Sequence, residues 1–259
     1  MTHTSSYRRI LHKMGYYDYQ HGLIYRHIKQ QGRWDKHLER CRNMIIRAID
    51  QFKPEKITVL GSGWLLELPL AEMIERTQKI ILVDIVHPPE VITQTAEYTN
   101  IHIVEEDVTG GFIELIWKKA GNRTFLNKLQ SLEDIIVPEY TPGSDPGMVI
   151  SLNILTQLEI LPLKLLRRKC RKVAEEDFMN IRKDIQNNHI RFLENHKSIL
   201  ISDIAEIFKK AGGDTYENST VAVELPRGKE REEWTWDFDL TGTDYYQKIS
   251  VFKVAAILI

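Results

Sequence analysis

The sequence predicts an α/β domain: a mostly parallel sheet covered by helices, closed by a C-terminal antiparallel hairpin and preceded by an N-terminal helical cap. Three observations carry this. After Pro54, short apolar runs alternate with helical stretches, the rhythm of buried parallel strands joined by crossover helices. Near the C-terminus, Trp234, Trp236, Phe238 and Leu240 alternate with Thr235, Asp237 and Asp239, and the apolar stretch Ile249 to Ile259 follows a short polar turn containing Gly242. That leaves no room for a crossover helix, so the two strands pair antiparallel. Before Pro54, the positions Trp34, Leu38, Cys41, Ile45, Ile49 and Phe52 recur in steps of four and three, the stripe of an amphipathic helix.

In chain order, residues 1–55 are read as the cap, with 8–32 Tyr- and Arg-rich and partly helical, and the Trp34 helix ending before Pro54. Residues 56–259 form the main domain. Its first strand is Ile57 to Leu60, bounded by Gly61 and Gly63; a helix over Leu68 to Ile74 tolerates Pro69 in its first turn. Ile80 to Val83 is a second strand ending at Asp84. Ile101 to Val104 is a third, ending in acidic residues, with a helix around Ile113 to Lys119 after it. The stretch 121–147, punctuated by Gly121, Pro138, Pro142, Gly143, Pro146 and Gly147, reads as a long surface loop. Met148 to Leu152 is a fourth strand. Helices over 163–174 and 176–195 lead to a fifth, Ser198 to Ile201, closing at Ser202 and Asp203.

Composition narrows the function classes. Of the 259 residues, 42% are hydrophobic and 27% charged, enough to bury a sizeable core. A net charge of -1 gives no bulk field for nucleic acid or an anionic membrane, so both partner classes are disfavoured. The near-neutrality is a sum of unlike parts: residues 1–50 carry ten Lys/Arg against four Asp/Glu, and residues 201–259 seven against eleven. Two cysteines, Cys41 and Cys170, lie far apart with no CxxC or Cys/His cluster, which argues against a disulfide scaffold and a zinc site. The N-terminal stretch lacks an apolar signal core and no run is long enough to span a membrane, so a cytoplasmic location is expected.

The sharpest local feature is Val59-Leu60-Gly61-Ser62-Gly63-Trp64-Leu65-Leu66-Glu67, a strand running into a GxG turn and then a helix. Two glycines permit a tight turn, and N–H groups at a helix start favour an anion. Asp84 stands 23 residues after Gly61 at the end of the next strand, where a carboxylate can accept both hydroxyls of a ribose. A plain strand-to-helix turn explains the glycines equally well. A dinucleotide fingerprint would place its third glycine at 66, where Leu66 stands, so an NAD enzyme is disfavoured.

At these residues the sequence resembles the class I S-adenosylmethionine-dependent methyltransferases, and the phrases GSGWLLELPL, ILVDIVHP, EEDVTG and SLNILTQL look like a bacterial group of methyltransferase-like proteins. The resemblance implies a Rossmann-like fold and S-adenosylmethionine as cofactor. Gly61, Ser62 and Gly63 match the glycine turn, Asp84 the ribose acid, and Ile85 the residue beside the adenine face. Asp107, followed by Val108, matches the acid that accepts from the adenine amino group, and Ser151-Leu152-Asn153 the fourth-strand end facing the methyl group. Two features depart from the pattern: Val59 occupies the place of the first-motif acid and Leu65 that of the third glycine. Glu67 either replaces the missing carboxylate and pairs with the methionine ammonium, or is a solvent-facing first-turn residue favoured by the helix dipole.

Candidate catalytic groups are few, because methyl transfer is an in-line displacement that needs alignment and exclusion of water. Asn153 and Gln157 can orient an acceptor, and Asp203 can take a proton. Each reads equally as a loop hydrogen-bonder. The chain lacks the Asn/Asp-Pro-Pro-Tyr/Phe loop that the resemblance associates with nucleic-acid base methylation. His87 and His189 are read as structural, and the run Lys164, Arg167, Arg168, Lys169, Arg171, Lys172 as a solvated helix face. Tyr16, Tyr17, Tyr19 and Tyr25 either roof a substrate pocket or fasten the cap. The expectation is a methyltransferase of a small-molecule acceptor; the alternative is a non-catalytic relative that binds a nucleoside or a partner.

Overall fold

A computed structural model describes residues 3–121, 129–209, 215–242 and 249–259. Three helices open the chain: α1 (Ser5–Met14), α2 (Tyr16–Lys29) and α3 (Asp35–Phe52). Thr4 caps α1 by accepting from the Tyr7 N–H, and Gly15, at φ 93°, ends it in the left-handed conformation that costs a glycine little. The stripe expected in α3 buries Leu38, Cys41, Ile45 and Ile49, and Lys53 turns left-handed just before Pro54.

The main body alternates as expected through β1 (Lys56–Leu60), α4 (Leu70–Arg76), β2 (Lys79–Asp84), α5 (Pro89–Thr95), β3 (Ile101–Glu105), α6 (Phe112–Ile116), a π-helical turn (Trp117–Gly121) and β4 (Met148–Leu152). It continues through α7 (Ile160–Lys169), α8 (Glu175–Glu194), β5 (Ser198–Lys209), β6 (Thr215–Ser219), β7 (Glu230–Asp239) and β8 (Ser250–Leu258). Strands order as β3-β2-β1-β4-β5-β8-β7, with β6 beside β5. The first five pair in parallel, and β8 lies antiparallel between β5 and β7. This is the expected Rossmann-like arrangement, a mostly parallel sheet ending in an antiparallel hairpin.

The period of two sorts the strand residues onto two helical layers. Val59, Leu82, Ile150 and Ile201 face a core shared with Trp34, Leu38 and Ile45, whereas Leu60, Val83, Val149 and Leu200 face Ile190, Phe192 and Leu193 of α8. Burial on both sides is why these strands read as continuous apolar runs. A further cluster joins α6, α7 and α8 through Phe112, Leu166 and Ile185, and draws in Leu132 and Ile135 from the irregular stretch before β4.

Two expectations need correction, and one strand was not foreseen. Strand β5 runs on to Lys209, because beyond a bulge at Asp203/Ala205 it pairs with β8 on one side and β6 on the other. Strand β6, Thr-Tyr-Glu-Asn-Ser, is exposed at every residue, so it carries no alternation from which burial could be read. Strand β7 begins at Glu230, ahead of the aromatic stretch, with charged residues along its start. Part of the 121–147 loop and of the hairpin turn lies outside the described residues. Among the described residues no helix is long and apolar enough to cross a membrane.

Candidate functional site

Parallel strands leave their carboxyl ends on one edge of the sheet, and where β1 is flanked by β2 and β4 the connections diverge to either side, opening a crevice. Residues 61–69 follow β1 as a series of turns, and α4 starts only at Leu70 behind Pro69. Glu67, expected at a helix start, precedes the helix. Gly61, at φ 82°, is required by packing: a Cβ there would stand 1.9 Å from Ile154 Cγ2 and 2.6 Å from the Leu152 carbonyl oxygen. Leu65, where the third glycine was missed, holds the left-handed conformation nonetheless, at φ 61°.

Asp84, at the end of β2, locks this turn. Its Oδ2 accepts from the Gly63 N–H at 2.8 Å, and its Oδ1 from the Ile85 N–H at 2.8 Å and from Gln20 Nε2 at 3.2 Å. Burial raises the Asp84 pKa, opposed by His87 and by these N–H groups. Asp107, beyond β3, is held through Oδ1 by the Thr109 N–H and hydroxyl and through Oδ2 by the Tyr7 hydroxyl at 3.2 Å. Burial likewise raises the pKa of Asp107 and drives that of the Tyr7 phenol well above its ordinary value. Past β4, Asn153 is left-handed at φ 51° and donates from Nδ2 to Glu67 Oε1 at 3.2 Å.

These groups enclose a cavity offering about 120 Å³ to the centres of water molecules, against roughly 10–15 Å³ for a single water site. Its roof is one face of α2, Tyr16, Tyr19, Gln20 and Leu23, at helical spacing. The roof is fastened by the Trp64 indole N–H, which donates to the Gln20 carbonyl at 3.0 Å, and by the Gln20–Asp84 bond. Two polar atoms in this wall, Gln20 Oε1 and Asn153 Oδ1, are buried without a protein partner. Buried acceptors of this kind mark places where a ligand or water completes the bonding.

Of the residues named from sequence, Gly61, Ser62, Gly63, Glu67, Asp84, Ile85, Asp107, Val108, Asn153 and Gln157 all line the cavity. Glu67 is not solvent-facing: it is 9% exposed, and His37 Nε2 lies 3.8 Å from its Oε1. Ser151 and Asp203 are not brought to the cavity. Ser151 Oγ bonds His189 Nε2 at 2.8 Å beneath α8, and Asp203 accepts from the Thr156 hydroxyl, pinning the turn after β4 to β5. Ser62 turns its hydroxyl to His87 Nε2 at 2.9 Å, so its backbone lines the site while its side chain braces it. Tyr16 and Tyr19 roof the cavity, whereas Tyr17 packs on His12 and Tyr25 is exposed beside Lys29. Tyr7, Gln20 and Leu23 were not foreseen; the spacing of 16, 19, 20 and 23 on one helical face is the signal for Gln20 and Leu23, and Tyr7 has none.

No family model and no curated protein match this sequence. Among solved structures, the chain is similar to the 1,6-didemethyltoxoflavin-N1-methyltransferase of Burkholderia thailandensis with bound S-adenosylhomocysteine, at 11% identity, over 100% of this chain and 91% of that one, with a TM-score of 0.43. It is also similar to DhpI in complex with S-adenosylhomocysteine, at 8% identity over 91% of this chain and 97% of that one, with a TM-score of 0.31.

Proposed function

We propose that this chain is an S-adenosylmethionine-dependent methyltransferase acting on a small-molecule acceptor. The observation that carries the reading is the convergence of Gly63, Glu67, Asp84, Asp107 and Asn153 on one roofed cavity at the divergence of the strand connections, with the Asn153 and Gln20 amide oxygens still open to a donor. The residues fit the cofactor: Asp84 would meet the ribose hydroxyls, Ile85 and Val108 the adenine faces, Asp107 the adenine edge, and Glu67 the ammonium. The bound cofactor would supply a methyl group activated by a sulfonium. What the chain itself does is align the acceptor through Asn153 and Gln157, and exclude water with α2.

Thermal unfolding with S-adenosylmethionine and with S-adenosylhomocysteine tests this. A ligand at one hundred times its dissociation constant should stabilise the fold by about 2.7 kcal/mol. Asp84→Ala should fold and lose that response; the absence of a shift with either ligand in the folded wild type would refute the cofactor assignment. A second reading, a non-catalytic nucleoside-binding relative, is favoured by Tyr7 and Gln20 already occupying Asp107 and Asp84. Ligand-induced stabilisation without methyl transfer to any of a broad panel of acceptors would support it.

A further inference from the structure

The carboxylates of Asp84 and Asp107 are already fully bonded, and one bond to each comes from the N-terminal helices. A carboxylate offers about four acceptor places. Around Asp107 they are met by the Thr109 N–H and hydroxyl, the Ile113 N–H and the Tyr7 hydroxyl. Around Asp84 they are met by the N–H groups of Gly63, Ile85 and Val86 and by Gln20 Nε2. The other donors belong to the turns and strand ends that hold these acids in place. A ligand donor is therefore admitted only where Tyr7 and Gln20 stand.

Both residues resemble what they exclude. The Tyr7 ring packs with Ile85 against Leu11, Val86 and Ile113, and its hydroxyl donates to Asp107. An adenine would offer the same pair of features, a flat ring beside Ile85 and an N–H toward Asp107. Gln20 donates to Asp84 Oδ1 as a ribose hydroxyl would. The helices that carry the two residues are lightly held: α2 fully buries no side chain and α1 only Leu11. Arg8 adds a half-exposed ion pair to Glu105, an interaction of small worth. Elements with so little burial open at low cost. Helix α2 is pinned at its C-terminal end, where Arg26 and Gln30 reach Asp239, so the end free to lift is the junction with α1 at Gly15.

We propose that the α1–α2 hairpin is a built-in competitor of the cofactor: binding at Asp84 and Asp107 requires the hairpin to lift at its Gly15 end and release Gln20 and Tyr7. The proposal rests on the methyl-donor reading above and adds to it a self-bonded resting state. Apparent affinity is the intrinsic affinity reduced by the fraction of chains that are open. Removing a hairpin bond therefore tightens binding, the opposite of what removing a ligand contact does.

Tyr7→Phe and Gln20→Met keep the side-chain bulk and remove the donors. Titrated by calorimetry into the full chain, S-adenosylhomocysteine should bind each variant about five-fold more tightly than the wild type, the equivalent of one net hydrogen bond, and the double variant about twenty-five-fold more tightly. Unchanged or weaker binding in either variant overturns the proposal. A second readout needs no variant: the Gln20 side-chain amide signals in NMR spectra of the wild type should move to solvent-exposed positions on saturation with S-adenosylhomocysteine, and signals that stay in place overturn it as well. The two readings fail separately. Equal binding by all four chains removes the competitor and leaves the donor, whereas failure to bind any of them removes the donor and the competition with it.

Discussion

At the residue scale, the turn after β1 shows how one position can matter for packing and its neighbour for binding. Gly61 has no room for a side chain, since the Leu152 carbonyl oxygen stands 2.6 Å from where a Cβ would be and the backbone is at φ 82°. Gly61→Ala should therefore destabilise the fold by roughly 2–4 kcal/mol, read as a lower denaturant midpoint; an unchanged midpoint would disprove the packing account. Leu65 holds the same left-handed conformation at φ 61° without glycine's freedom. That strain, about 1–2 kcal/mol for a side chain with a Cβ, is borne by burying Leu65 in the core with Leu68 and Met73. Glu67 is held by its neighbours: Asn153 donates to it and His37 stands beside it, itself ordered by the Trp234 indole N–H donating to His37 Nδ1 at 3.1 Å.

At the element scale, two helices control the site in different ways. Helix α2 is anchored at its far end, where Gln30 donates to Asp239 and the Trp34 indole to the Phe238 carbonyl, and is joined to α1 through Gly15. Over the cavity it is held by the Trp64 and Gln20 bonds. Trp64→Phe removes one of these, worth about 1 kcal/mol, so α2 amides should exchange faster while those of the central strands change little. Helix α8 braces β4 from behind through the His189–Ser151 bond, and desolvation lowers the His189 pKa to about 4. The unfolded chain then binds the extra proton between about pH 4 and pH 6.5, so this contribution is complete above pH 6.5 and is lost as the pH falls toward 4. The loss amounts to about 3 kcal/mol. His189→Gln should flatten that acid limb, measured as denaturant midpoint against pH. Glu159, raised to about 7 by burial despite its ion pair with Arg182, has the opposite slope: its contribution is lost as the pH rises from 4.5 to 7.

At the scale of the whole molecule, the three N-terminal helices divide between roof and core. Helices α1 and α2 cover the strand ends, whereas α3, with Trp34 ahead of it, buries Leu38, Cys41, Met44, Ile45 and Ile49 against the sheet. Each such side chain is worth roughly 1.5–3 kcal/mol, and together they rival the roughly 5–15 kcal/mol that holds a domain folded. Deleting residues 1–55 should leave a chain without cooperative unfolding, whereas deleting 1–30 should leave a folded domain with an open cavity. Circular dichroism melts of the two truncations distinguish them, and a folded 56–259 fragment would show the boundary at 55 to be a true domain limit.

The parallel strands, the closing hairpin and the acidic strand ends are legible in the amino-acid order, because burial on two faces writes continuous apolar runs and because Asp84 and Asp107 follow those runs directly. It also carried the positions of Gly61, Gly63 and Asn153. What covers the site and which polar residues face it depend on how the layers pack. Tyr7 reaches Asp107 from a hundred positions away and Gln20 reaches Asp84 from sixty-four, contacts that leave no local period. Ser151 stands near the end of β4 and Asp203 at the bulge within β5, and His189 and Thr156 draw them from the cavity. A side chain's neighbourhood in the strand is set by the backbone, but its partner is set by whichever helix or turn packs against it, and that is fixed only when the layers close.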